Sequence, residues 1–192
     1  MPKIVACEYY NGAQAKIDRL GMTPLWDDLC QILTGFQLLV LEQKDSNGGA
    51  AVREIIDAAF LAKGNWKKQQ TGGVDWSKCL DLTPDARTCI GVEIQFSGRS
   101  DLLIIDVAHL REQITIGAID VGVIVVPTDQ LAQYMTDRGP NFTAAKQAVA
   151  RNQAETLPLV IIALEHDGPG PALAKKRTRQ GRQMDSPQET HD

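Results

Sequence analysis

Glu93 and Gln95 stand two residues apart in Val92-Glu93-Ile94-Gln95-Phe96-Ser97, so on a β-strand both project to the same face. The neighbours Cys89, Ile90, Val92, Ile94 and Phe96 are apolar and read as a buried strand. A carboxylate in such a strand is costly unless a cation or hydrogen bonds compensate it, which makes Glu93 a candidate metal ligand. Upstream, Asp75-Trp76-Ser77-Lys78 offers a second carboxylate. Two carboxylates supply the hard oxygen donors that suit an ion such as Mg²⁺. Taken alone, each residue also has a plain structural reading: Asp75 as a turn aspartate after Gly72-Gly73, Glu93 and Gln95 as polar residues of an edge strand.

The elements that must position these residues follow from patterning. The Thr83-Pro84-Asp85 core is a turn, so residues 74–96 are expected to form a hairpin whose arms carry Asp75 and Glu93 to one place. Thr23-Pro24 starts a helix, Thr as cap and Pro at the first position, continued by Leu25, Leu29, Ile32 and Leu33 at helical spacing. Residues 36–41 read as a strand and 44–49 as a loop. Residues 50–63 read as a helix with Val52, Ile55, Ile56, Ala59 and Phe60 on one face, stopped at Gly64. After Ser100 the pattern Leu102, Leu103, Ile105, Val107, Ala108, Leu110 and Ile114 is mostly helical, and Val121 to Val126 is a buried strand ended by Pro127. Helices near 129–135 and 143–152 and a last strand at 159–164 complete the pattern. Helices alternating with strands predict an α/β fold with a mixed central sheet flanked by helices.

At 192 residues, with 43% hydrophobic and 23% charged residues, the chain suits one well-buried domain. We place that domain at residues 1–165. From His166 the chain turns to Gly168-Pro169-Gly170-Pro171 and then Lys175-Lys176-Arg177-Thr178-Arg179, so residues 166–192 are expected to be a disordered polar and basic tail. No apolar run reaches membrane-spanning length, and Glu8 and Asn11 interrupt the N-terminus too early for a signal peptide, which predicts a cytoplasmic protein. Cys7, Cys30, Cys79 and Cys89 form no CxxC pair and read as reduced core residues rather than a zinc site. The net charge of −4 argues against nonspecific coating of nucleic acid, but not against a cleft that gathers Lys and Arg locally.

Asp75-Trp76-Ser77-Lys78 followed by Glu93-Ile94-Gln95-Phe96 resembles the D-[FW]-x-K and E-[IV]-Q-F segments of the type II restriction endonucleases typified by BglII and BstYI, a branch of the PD-(D/E)xK nucleases. Further patches follow in the same order: Leu25-Trp26-Asp27-Asp28, Gly64-Asn65-Trp66-Lys67, Ile119-Asp120-Val121-Gly122-Val123 with Val126-Pro127, and Pro158 to Ile162. Order across several patches makes the resemblance specific. In that family the aspartate and glutamate are separated by a shorter hairpin, whereas here the intervening segment holds Asp81 and Asp85 as rival ligands. Asp75 is favoured because Trp76 and Lys78 continue the family pattern; Asp81 ranks second and Asp85 third.

The resemblance implies a restriction-endonuclease-like core, Mg²⁺ held by Asp75, Glu93 and the Ile94 carbonyl, and Asp75, Glu93 and Gln95 as the catalytic set. Gln95 stands where most of the superfamily carries lysine, and an amide can neither act as a base nor bring charge. Activation would then fall mainly to the metal. Lys78, Ser97, Arg99, Arg138 and Asn141 are the candidate DNA contacts, arginine suiting guanine and asparagine adenine. Gln69 reads as a loop residue, and His109, on an apolar helix, as a packing residue. The implied enzyme is a homodimer matched to a palindromic double-stranded DNA site containing GATC, leaving 5′-phosphate ends, with a cognate DNA methyltransferase as genetic partner. Two other readings stand beside it, a repair or recombination nuclease of the same superfamily and a DNA-binding module whose catalytic site has degenerated.

Overall fold

A computed structural model describes residues 1–68, 73–99, 101–136 and 139–175. Its centre is a six-stranded sheet built from β1 (Lys3–Tyr9), β3 (Lys67–Lys68), β4 (Trp76–Thr83), β5 (Ala86–Ile94), β6 (Val121–Pro127) and β7 (Leu159–Glu165), in the order β1-β7-β6-β5-β4-β3. The strands β5, β6 and β7 are parallel; β1, β4 and β3 pair antiparallel, so the sheet is mixed as the alternating pattern predicts. The largely apolar runs of β6 and β7 reflect their position, covered on both faces.

On one face lie α1 (Ala13–Arg19), α2 (Thr23–Thr34), α3 (Gly49–Lys63) and α5 (Asp129–Tyr134), packing Leu29, Ile56, Phe60 and Leu131 against Trp76, Val92 and Ile94. On the other lie α4 (Leu102–Thr115) and α6 (Phe142–Arg151), packing Leu103, Val107, Leu110 and Val149 against Cys89, Ile124 and Ile161. Alternation along β5 therefore turns Val92 and Ile94 toward α3 and Glu93 toward α4.

Several expectations are corrected. Met22, rather than Thr23, occupies the cap of α2, with Pro24 in its first turn. The strand expected at 36–41 is confined to β2 (Leu39–Val40), which pairs in parallel with β8 (Gly168–Pro169). Asp167 accepts the Leu38 amide at 2.7 Å and Leu173 packs on the main core, so residues 166–175, expected as tail, are built into the fold; residues 176–192, with most of the basic run, lie outside the described residues. Patterning also missed β1 and α1. The cysteines are not all reduced: the hairpin register sets Cys79 opposite Cys89, Cα atoms 4.1 Å apart, and the two form a disulfide, while Cys7 and Cys30 are free. Separation along the chain does not reveal such cross-strand pairing; register does.

Candidate active site

The hairpin β4–β5 brings the two expected carboxylates together. Trp76 pairs with Val92, so Asp75 falls beside Glu93 at the open end of the hairpin. Asp75 Oδ2 accepts the Ile94 amide at 2.8 Å, fixing its carboxylate against the turn of chain that leaves β5. Asp81 pairs with Arg87 near the far tip and is exposed, and exposed Asp85 lies in the turn itself. Six residue steps of strand, about 20 Å, separate Asp81 from Asp75. Among the three rival aspartates, only Asp75 meets Glu93.

Glu93 is 3% exposed, in an interior strand rather than an edge strand. Burial, and then the charges of Asp75 and Asp106, hold its carboxyl far above the usual carboxylate range. His109 Nδ1 lies 3.1 Å from Glu93 Oε1. The histidine therefore borders the site instead of serving only to pack α4. Asp106, one helical turn before it, is 8% exposed. Burial, with the Asp75 charge adding and Arg53 opposing, pushes its carboxyl up to about 7. Asp106 Oδ2 has no hydrogen-bond partner among the described residues. Three acids crowded in this way, one with an orphaned oxygen, form a donor set that fits a divalent cation.

From the opposite face of the sheet α3 delivers Arg53. Its Nη2 is 2.8 Å from Asp75 Oδ1, its Nη1 donates to the Ile94 carbonyl at 2.7 Å, and its Nε donates to Asp57 at 3.0 Å. The planar fork thus binds two carboxylates and a carbonyl at once from separate nitrogens, a spread that a lysine's single nitrogen lacks. Asp57 also accepts Trp76 Nε1 at 2.9 Å and Lys68 Nζ at 2.8 Å. Burial alone would raise Asp57, but the bonds from Lys68 and Trp76 and the charge of Arg53 outweigh it and lower the carboxyl. The first turn of α3 comes this close because Gly49 has no side chain; a Cβ there would overlap the Phe96 carbonyl oxygen. Asp75 and the Ile94 carbonyl, two of the three expected metal ligands, are accordingly held by a guanidinium.

Gln95, at 9% exposure, follows Glu93 on the same side and donates its amide to the Ser97 carbonyl, so it is tied to its own turn. Lys78 Nζ is 2.6 Å from Asp28, over the Trp66 ring, in a network with Lys63. Arg99 is exposed on the segment leaving the site, 3.2 Å from Asp101. Asn141 caps α6, its Oδ1 accepting the Ala144 amide at 2.7 Å. Arg138 and Gln69 lie outside the described residues. Sequence reasoning missed Asp106 and Arg53. Asp106 carried a signal, an acid amid Leu103, Ile104, Ile105 and Val107; Arg53 carried none toward the site, because Asp57 is its helical neighbour while Asp75 and the Ile94 carbonyl are distant in sequence.

The family model described as restriction endonuclease BglII/BglIII matches residues 5–164. No curated protein matches the chain in direct comparison.

Proposed function

We propose that this chain, which belongs to the BglII/BglIII restriction endonuclease family and is thus a DNA-binding nuclease, is a Mg²⁺-dependent type II enzyme that cuts both strands of a short palindrome containing GATC. The observation that carries the reading is the meeting of Asp75 and Glu93 at the mouth of the β4–β5 hairpin, within a chain matched to that family over most of its length. The GATC core and the 5′-phosphate, 3′-hydroxyl ends rest on the motif resemblance. A homodimer would present one such site to each strand of a two-fold DNA sequence, and a cognate methyltransferase would protect the host genome.

Asp75, Glu93 and the Ile94 carbonyl would hold the cation, and Gln95 completes the catalytic set. When bound, a divalent ion polarises the scissile phosphate and makes an attacking water acidic. Asp75 is oriented by the Ile94 amide, which leaves its other oxygen directed at Arg53. Arg53 brings the fixed positive charge that Gln95 lacks, and it holds the Ile94 carbonyl that would also ligate the ion. Gln95, neutral at every accessible pH, can orient a water or a phosphate oxygen but cannot take a proton. Ser97, Arg99, Arg138, Asn141 and Lys78 are the proposed DNA contacts. Of these Arg99 is the most accessible, whereas Asn141 and Lys78 would have to exchange partners within the fold.

The test is digestion of unmethylated phage DNA with purified protein and Mg²⁺, with sequencing of the ends. Discrete fragments sharing one palindrome around GATC support the proposal. Cutting confined to branched or damaged DNA would assign a repair nuclease, and specific binding without cutting a degenerate module.

A further inference from the structure

Glu93 has a second side. While Arg53 and Asp75 approach from the hairpin mouth and α3, α4 turns Asp106 and His109 toward the same carboxylate. Their spacing of three residues places both on one helix face. Glu93, Asp106 and His109 each offer a ligand atom, and these atoms all lie within 4.8 Å of one another. The 3.1 Å between His109 Nδ1 and Glu93 Oε1 matches the spacing of about 3 Å that two neighbouring ligands take on a small divalent ion with bonds of about 2.1 Å. Asp106 gives an independent sign of a missing partner. It is more than nine-tenths buried, and its Oδ2 is unbonded among the described residues. A buried carboxylate oxygen left without donor or cation is expensive. Arg53 does not serve it with a hydrogen bond, being committed to Asp57, Asp75 and the Ile94 carbonyl.

We propose that Glu93, Asp106 and His109 form a second divalent-cation site, sharing Glu93 with the Asp75, Glu93 and Ile94 set, and that it selects a transition-metal ion such as Mn²⁺ over Mg²⁺. Two carboxylates and a neutral imidazole balance a 2+ ion. The imidazole nitrogen sets the preference, because Mg²⁺ favours oxygen donors and retained water while first-row transition ions accept nitrogen readily. The half-exposed His109 provides the entry route from solvent. This site does not depend on the restriction-enzyme reading, since it is read by metal binding without DNA.

The experiment is a Mn²⁺ titration of the full chain without DNA, following free Mn²⁺ by electron paramagnetic resonance, with and without excess Mg²⁺. The expected result is one equivalent of Mn²⁺ that Mg²⁺ does not displace. Asp106→Asn and His109→Ala weaken that equivalent at least about tenfold, whereas Asp75→Asn retains it. In the unmutated protein, electron spin echo modulation of bound Mn²⁺ shows coupling to an imidazole nitrogen, a readout independent of whether any variant folds. Complete displacement by Mg²⁺, unchanged binding in both α4 variants, or absence of nitrogen coupling overturns the proposal.

Discussion

Asp106→Asn should make the metal-free protein more stable, and the gain should depend on pH. In the folded chain the Asp106 carboxyl is pushed from 3.8 up to about 7, first by burial and then by the Asp75 charge. Below 3.8 the group is protonated in both folded and unfolded chains and carries no penalty. Between 3.8 and about 7 the folded chain holds a proton that the unfolded chain has released, so stability falls as pH rises. Above about 7 both are ionised and the full cost is present, about 3 pH units at about 1.4 kcal/mol each, or up to about 4 kcal/mol. Asparagine keeps the shape and removes the charge, but its amide also needs partners, which returns part of the gain. The expected net effect is about 1–3 kcal/mol of stabilisation at about pH 8, near zero at about pH 4. Urea unfolding in EDTA at the two pH values measures it, and for a chain of this size the gain corresponds to a rise of about 2–10 °C in Tm. If the variant is no more stable than the parent at the higher pH, or gains equally at both, Asp106 is not the uncompensated charge that the geometry makes it.

Three further outcomes follow from the same geometry. Asp75→Ala should lower DNA cleavage by about 10²-fold or more, while Asp81→Ala, at the far end of the hairpin, should cut normally; the reverse pattern in a cleavage assay would move the ligand to Asp81. Arg53→Ala strips Asp75, Asp57 and the Ile94 carbonyl of their shared donor and should cost about 2–4 kcal/mol in denaturant unfolding, with Arg53→Lys recovering only part because the compact ammonium lacks the guanidinium's planar fork of spread donors. Reduction of Cys79–Cys89, which closes a loop of sequence separation 10, should lower stability by about 2–3 kcal/mol on the chain-entropy account. The Cys79→Ser variant should show the same loss by thermal melting, without further effect of reductant.

The sequence by itself determined the elements with a strong local signature. The helix ending at Gly64 is legible because a left-handed residue, φ 76, is needed there and glycine supplies it cheaply. The β4–β5 hairpin is legible from Thr83-Pro84-Asp85, and β6 and β7 from their apolar, Val- and Ile-rich runs. Asp75, Glu93, Ile94 and Gln95 could be singled out because strand alternation and an ordered set of motifs are properties of the chain alone. Other features depended on long-range pairing, which leaves no local mark. Lys3–Tyr9 becomes a strand because β7 offers it an antiparallel edge. Cys79 meets Cys89 only once the register of β4 and β5 is set. That Asp75, rather than Asp81 or Asp85, falls beside Glu93 follows from that same register. His109 and Asp106 face Glu93 because α4 packs on the side of the sheet to which Glu93 turns, and Arg53 reaches Asp75 because Gly49 lets α3 close on Phe96. A side chain's type and spacing are written locally, whereas its partner is fixed only when burial and packing bring distant segments within a few ångströms of one another.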